Sequence, residues 1–157
     1  MVKAFNYWSS VTNIQFFEKT LGDVDIPIDF ATFSHGDGDP FDGRGGTLAH
    51  AYYPETGDIH IDDSEDWTVE EDRGTNFLQT LTHEIGHSIG LAHSNVPQAV
   101  MFPFSGPYDA HFKLHADDIG SNLLKVKLST GFPIYVCCEG YWNTTFASVL
   151  LKKQILQ

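Results

Sequence analysis

Three stretches in the first half of the chain predict strands, and in the first of them apolar and polar positions alternate. The clearest is 24–33, whose apolar residues would share one face of a sheet. Shorter stretches at 47–54 and 58–62 predict two further strands. Before them, the apolar residues of 4–11 have the spacing expected at the end of an amphipathic helix.

Helical periodicity replaces this alternation in the middle of the chain. From Thr75 to Ile89 the apolar residues recur every three or four positions, and Thr75 is the expected N-cap. Gly90 is expected to end the helix in a left-handed conformation. Strands followed by a helix favour an α+β domain.

Composition narrows the class of protein. A chain of 157 residues, 41% of them hydrophobic, suits one folded domain, and the net charge of −12 argues against a nucleic-acid partner. Glu139 and Asn143 interrupt the apolar stretch 132–151, so no membrane span is predicted. The first ten residues lack the apolar run of a signal peptide. Cys137 and Cys138 are adjacent, which indicates no disulfide framework.

Acidic residues are concentrated in two segments, GDGDPFDG (36–43) and DIHIDDSEDW (58–67). A solvated acidic surface is one explanation of such clusters. The other is cation binding, because clustered carboxylates repel one another unless cations such as calcium lie between them.

The segment HEIGHSIGLAHS, residues 83–94, carries the clearest chemistry. His83 and His87 are four residues apart, so they project from one helix face and can share one metal ion. Glu84 would reach water beside that metal, and the turn at Gly90 lets His93 return as third ligand. A packing histidine is the alternative for the short H-E-x-x-H pattern, but the longer pattern gives every position a role. It predicts a catalytic zinc site with an open fourth position.

This segment, including Ser94, resembles the signature of the metzincins and, within them, of the matrix metalloproteinase (matrixin) catalytic domain. Met101 matches the methionine of the family's Met-turn. The resemblance implies an α+β metzincin fold, with a twisted, mostly parallel sheet that has an antiparallel edge strand and packs on the active-site helix. It also implies a zinc endopeptidase in which Glu84 is the catalytic base.

The family's metal motifs also match the acidic segments. The resemblance implies a second, structural zinc with four ligands: His35, Asp37, His50 and His60. It implies a calcium ion held by side chains and backbone carbonyls of Asp42, Gly43, Gly45, Thr47, Asp62 and Glu65. A second calcium would use Asp25, Gly57 and Asp58, next to a connection shortened to PETGD. The remaining histidines, His111 and His115, are expected on the surface.

The resemblance further implies how substrate would bind. The strand around Leu48 and Ala49 would take up the substrate as an added antiparallel strand. Pro103 matches a wall of the specificity pocket, whereas Gln79 and Ser105 differ from the family's usual residues. The expected partners are proteins or peptides of the extracellular matrix, together with tissue-type protein inhibitors, and the expected location is extracellular.

Both ends of the chain depart from the family. Residues 1–119 are expected to form the catalytic domain without the family's first inner strand, so its neighbours in the sheet should have unpaired backbone groups. Residues 120–157 are expected to be an atypical tail, unstructured or the product of a splice or gene-model artefact. The alternative function is therefore a truncated, catalytically inactive metal-binding isoform that acts as a decoy or interaction module.

Overall fold

A mixed sheet with helices packed on it forms the framework in the computed structural model, which describes residues 1–20, 22–120 and 133–139. The described elements, in chain order, are α1 (Val2–Ser9), β1 (Phe16–Glu18), β2 (Ile26–Ala31), β3 (Ala49–Ala51), β4 (Ile59–Asp62), β5 (Trp67–Thr68), β6 (Thr75–Asn76), α2 (Phe77–Ser88), α3 (Ala116–Ile119) and β7 (Ile134–Glu139). The strands predicted at 24–33, 47–54 and 58–62 contain β2, β3 and β4.

The five-stranded sheet has the order β1-β7-β2-β4-β3. All of its pairs are parallel except β3 with β4, which is antiparallel and lies at an edge. The fully buried Ile28, Ile59 and Ile61 lie on the central strands β2 and β4, as expected where a parallel strand is covered by other elements. The mostly parallel sheet with an antiparallel edge strand is confirmed.

The expectation of unpaired backbone beside a missing inner strand is wrong for this structure. Strand β7 lies between β1 and β2 and pairs with both in parallel. The strand comes from beyond residue 119, so this part of the segment set apart as a tail is in the sheet. Residues 121–132 and 140–157 of that segment lie outside the described residues.

Helix α2 confirms the predicted helix but begins one residue later than expected. Its N-cap is Asn76, whose Oδ1 accepts the Gln79 N–H at 3.0 Å, and the predicted cap Thr75 lies in β6. Asn76 takes this role because its short carbonyl side chain reaches the exposed N–H groups of the first turn. Gly90 has φ +103°, which confirms the left-handed stop.

Helix α1 packs on α2 through its buried face. Trp8 is fully buried and its indole Nε1 donates to the carbonyl of Thr82 at 2.8 Å, which joins the two helices. Trp8 belongs to the same main hydrophobic core as Leu81 and Ile85 of α2. No helix in the described part of the chain has the length and apolar character needed to cross a bilayer.

Candidate metal centre and active site

Three imidazoles converge at the end of α2. The Nε2 atom of His87 lies 3.1 Å from that of His83 and 3.1 Å from that of His93, and the remaining pair is 3.3 Å apart. His83 and His87 come from the helix face, and the turn at Gly90 returns the chain so that His93 reaches them. The predicted ligands of the catalytic zinc are therefore together, in a cluster that could hold a metal ion.

The hydrogen bonds of the His83 and His87 rings determine which ring nitrogen carries the proton. His83 Nδ1 donates to the Val100 carbonyl and His87 Nδ1 to the Leu91 carbonyl, each at 2.7 Å. A carbonyl only accepts, so Nδ1 carries the proton and Nε2 presents a lone pair. Burial lowers the pKa of both rings, that of His87 to about 4, so both are neutral at pH 7.

These lone pairs fit zinc. Two unprotonated nitrogens that face each other repel unless a cation lies between them. Tetrahedral Zn–N bonds of 2.0–2.1 Å would place the nitrogens about 3.3 Å apart. The observed separations of 3.1–3.3 Å are close to that value.

Glu84 lies on α2 between the two histidine ligands in sequence and is buried. Burial raises the pKa of its carboxyl to about 8. A carboxyl whose pKa lies near neutral pH can both take up and release a proton, as a general acid–base needs.

Met101 lies against the last turn of α2 and is fully buried. A Cβ built at Gly86 would lie 2.3 Å from Met101 Sδ and 3.0 Å from Trp8 Cζ2. Glycine at this position therefore lets the methionine approach the helix. The Met101 carbonyl also accepts the Ser94 N–H at 2.8 Å, which ties this turn to the residue after the third histidine.

Asp118 is a residue whose role was not predicted. Its fully buried carboxylate accepts the N–H groups of Val100 at 2.9 Å, Met101 at 3.0 Å and His115 at 2.7 Å. It thereby holds the turn whose Val100 carbonyl orients His83. The only local signal is the capping box at the start of α3, in which His115 is the N-cap.

The second cluster brings together the predicted structural zinc ligands His35, Asp37, His50 and His60. Asp37 Oδ2 lies 2.8 Å from His35 Nε2, from His50 Nε2 and from His60 Nδ1. Burial raises the pKa of Asp37, but hydrogen bonds from the Asp39 N–H, His50 and His60 outweigh it and hold the pKa well below its usual value.

His35 supplies the evidence that this second cluster fits a cation. Its Nδ1 donates to the Phe33 carbonyl at 2.8 Å, so its Nε2 carries a lone pair. That buried Nε2 has no hydrogen-bond partner in the described part of the chain, although it faces the Asp37 carboxylate. A lone pair held against an anionic oxygen is unfavourable unless a cation lies between them.

The predicted calcium ligands come from the glycine-rich loop, the end of β4 and the turn after it: Asp42, Gly43, Gly45, Thr47, Asp62 and Glu65. Asp42 Oδ1 accepts the Thr47 N–H at 3.1 Å, and Glu65 Oε1 accepts the Gly45 N–H. Asp62 is fully buried, and its Oδ2 has no hydrogen-bond partner among the described residues. A buried carboxylate oxygen without a donor is a site where a cation fits.

The residues predicted for a second calcium are only partly brought together. Gly57 lies so close to Asp25 that an added Cβ would be 2.7 Å from the Asp25 carbonyl oxygen. The Asp25 side chain has another partner, because its Oδ2 accepts the Tyr135 N–H of β7 at 2.7 Å. Asp58 is half-buried, and its carbonyl accepts the Tyr52 N–H.

The predicted pocket residues come from three segments: the edge strand, α2 and the loop after Met101. Leu48 and Ala49 are half-buried at the edge strand, and Pro103 and Ser105 are exposed after Met101. The Gln79 amide bridges α2 to the loop 107–109, since it donates to the Pro107 carbonyl at 3.2 Å and accepts the Asp109 N–H at 2.8 Å. The prediction did not include the ring of Tyr53, which meets His87 edge-on at 5.7 Å.

A mixed sheet packed on a helix whose histidines meet a third one after a glycine turn is the metzincin fold. The profile of the matrixin family matches residues 1–122. Over 118 residues the chain is 49% identical to the hatching enzyme of Paracentrotus lividus, covering 74% of this chain and 20% of that protein. It is 49% identical over 121 residues to matrilysin of Homo sapiens, covering 74% and 45%.

Macrophage metalloelastase of Rattus norvegicus is 48% identical over 123 residues, covering 76% of this chain and 26% of the relative. The chain thus spans less than half the length of these curated relatives. It belongs to the matrixin family. Matrixins are zinc-dependent, and the cluster of His83, His87 and His93 could hold that metal.

Proposed function

We propose that this chain is a zinc- and calcium-dependent metalloendopeptidase that hydrolyses peptide bonds in extracellular matrix or other secreted proteins. The observation that carries the proposal is the convergence of the Nε2 atoms of His83, His87 and His93, with the buried Glu84 next to His83 in the sequence. Membership of the matrixin family supports it, as does the similarity to a protein named metalloelastase. An extracellular location and tissue-type protein inhibitors as partners belong to the same proposal.

The metal ligands divide into an open and a closed set. His83, His87 and His93 would hold the catalytic zinc and leave one coordination position open. His35, Asp37, His50 and His60 would close a structural zinc site, because four protein ligands complete a tetrahedron. Zinc at the open site would supply Lewis-acid polarisation of the scissile carbonyl and would lower the pKa of a bound water.

The calcium site would strengthen the loop that contributes the structural zinc ligands. Asp42, Asp62 and Glu65 supply carboxylates, and Gly43, Gly45 and Thr47 supply backbone carbonyls, which are the oxygen ligands that calcium prefers. The positive φ angles of Gly43 and Gly45, 86° and 83°, fit such a tightly turned loop. A second calcium at Asp25, Gly57 and Asp58 would compete with β7 for the Asp25 carboxylate.

The chain's own residues then perform the proton transfers. Glu84, ionised beside a cation, takes the proton of the attacking water and returns it to the amine that leaves. The Val100 and Leu91 carbonyls hold the rings of His83 and His87 in the orientation that directs both Nε2 atoms toward each other, where they would hold the metal. Because Glu84 is buried, little water surrounds its carboxylate, and this strengthens the electrostatic interaction of the carboxylate with a neighbouring cation.

Substrate would bind along the edge of the sheet. Strand β3 is the antiparallel edge strand, so an extended peptide can pair with its outer side beside Leu48 and Ala49. The side chain after the scissile bond would enter a pocket between α2 and the residues after Met101. Gln79, Pro103 and Ser105 would shape that pocket, with the Gln79 amide tying the 107–109 loop to the helix.

Cleavage of a quenched fluorescent peptide tests this function. The chain treated with chelator should be inactive, and zinc with calcium should restore cleavage. His93→Ala should abolish it, and His111→Ala, which changes an exposed histidine outside both clusters, should not. A chain that binds zinc without cleaving any of a broad peptide set would contradict the proposal and support the decoy alternative.

A further inference from the structure

The strand β7 occupies a position in the sheet that the matrixin match does not account for. That match ends at residue 122, and β7 begins at Ile134. The strand is nevertheless internal, with β1 on one side and β2 on the other. The gap that it fills, the β1–β2 slot, must be occupied for the sheet to be continuous.

Backbone hydrogen bonds hold β7 from both sides. Toward β1, the Ile134 N–H donates to the Gln15 carbonyl and the Lys19 N–H to the Val136 carbonyl, both at 2.9 Å. Toward β2, the Asp25 N–H donates to the Tyr135 carbonyl at 2.8 Å. The Asp25 carboxylate accepts the Tyr135 N–H at 2.7 Å. Together with the parallel registers of both pairs, these bonds make β7 an inner strand of the sheet.

Side chains of β7 fit the two faces of the slot differently. Val136 is buried and belongs to the main hydrophobic core, with an exposed fraction of 7%. Tyr135 points to the other face, is 39% exposed, and lies beside the Phe17 ring and under the Lys19 ammonium. Position 136 therefore faces the main core and must be apolar, whereas position 135 lies on the other face at a partly exposed point and need not be.

We propose that the β1–β2 slot is a strand-binding site whose ligand is residues 134–139 of the same chain, so that the folded catalytic domain extends to Glu139. The metal sites depend on this strand through the sheet. Strand β7 supports β2, β2 pairs with β4, and β4 carries His60 and Asp62. The slot selects an extended segment that runs parallel to both neighbours and places an apolar side chain on the core face.

Two aspartate substitutions at adjacent positions test the burial pattern in the full chain. Val136→Asp should lower the thermal unfolding midpoint by roughly 10 °C or more, because it places an unpaired charge in the core. Tyr135→Asp should change it by about 3 °C or less, because its side chain meets solvent and Lys19. Equal shifts, or no shift from Val136→Asp, would overturn the proposal.

Thiol protection tests the same strand without relying on stability. Cys137 is buried in β7, with an exposed fraction of 7%. In a Cys138→Ser chain, Cys137 should react with an alkylating reagent at least about 100-fold more slowly than in urea, since reaction would require β7 to open. A rate close to that in urea would overturn the proposal.

Gel filtration of the same chain identifies the donor of the strand. Protection in a monomer supports pairing within one chain. Protection found only in a dimer would overturn it in favour of strand exchange between copies. None of these measurements depends on peptide cleavage, so their failure and the failure of the proposed function are distinguishable.

Discussion

Met101 Sδ lies so close to Gly86 that a Cβ on the glycine would be 2.3 Å from the sulfur. The backbone of α2 and the Met101 side chain therefore meet without any intervening side chain, at the residue that directly precedes His87. Trp8, 3.0 Å from the same Cβ position, closes the space on the side of α1.

Gly86→Ala should consequently destabilise the protein. Either Met101 or Trp8 must move, and overpacking of a close-packed core costs about 1–3 kcal/mol, or more where backbone shifts. Gly106→Ala is the matched control, since a Cβ there meets nothing within 4 Å. Urea unfolding of the two variants measures the difference. Equal stabilities would contradict the close approach.

Asp118 should be needed for the turn at Val100 and Met101. Asp118→Asn replaces one acceptor oxygen by an amide that faces N–H donors, so unfolding free energy should fall by about 2–4 kcal/mol. Asp117→Asn changes a half-buried acceptor of the Ser94 hydroxyl and should lower the unfolding free energy by less. Zinc affinity should fall with the first substitution, because the Val100 carbonyl orients His83. Unchanged zinc affinity would contradict that link.

Glu84 should destabilise the zinc-free chain in a pH-dependent way. Its folded pKa of about 8 lies above the ordinary 4.5, so the folded state binds the extra proton. The stability that the protonated carboxyl provides relative to the ionised one is fully present below pH 4.5 and is lost as the pH rises through 8. In chelator, Glu84→Gln should therefore be more stable than the parent chain by about 4 kcal/mol at pH 8. At pH 5 this advantage should be smaller by about 3 kcal/mol. Urea unfolding at both pH values tests this, and an equal difference at the two would contradict it.

Calcium should stabilise the chain through Asp62. Calcium at 100 times its dissociation constant should raise the unfolding free energy by about 2.7 kcal/mol. Asp62→Asn should reduce this response, because it removes a charge whose buried Oδ2 has no hydrogen-bond partner among the described residues. Asp66→Asn is the control, since Asp66 pairs with Arg44 on the surface. Equal calcium responses in the two variants would contradict the assignment.

Local patterns were enough to predict the parts of the molecule that depend on spacing. The period of α2, the left-handed Gly90 and the approach of His83 to His87 follow from helix geometry alone. The alternation around Ile26 and Ile28 likewise predicted β2. These features need no knowledge of distant residues.

Contacts between distant residues could not be predicted in this way. Asp118 binds backbone groups 17 and 18 residues away, and no local pattern indicates which loop would meet it. The pairing of Tyr135 with Asp25 spans 110 residues, so β7 could only be found in the folded chain. Asn76 and Thr75 are both good N-caps, and only the register of the helix decides between them.

The most direct test of the proposed catalysis compares the zinc-loaded parent chain with zinc-loaded Glu84→Gln. Both should bind zinc equally, because Glu84 is not among the three histidine ligands. We expect kcat/KM for a cleaved peptide to fall by at least about 100-fold in the variant, because it lacks the general base. Equal kcat/KM at equal zinc content would contradict it.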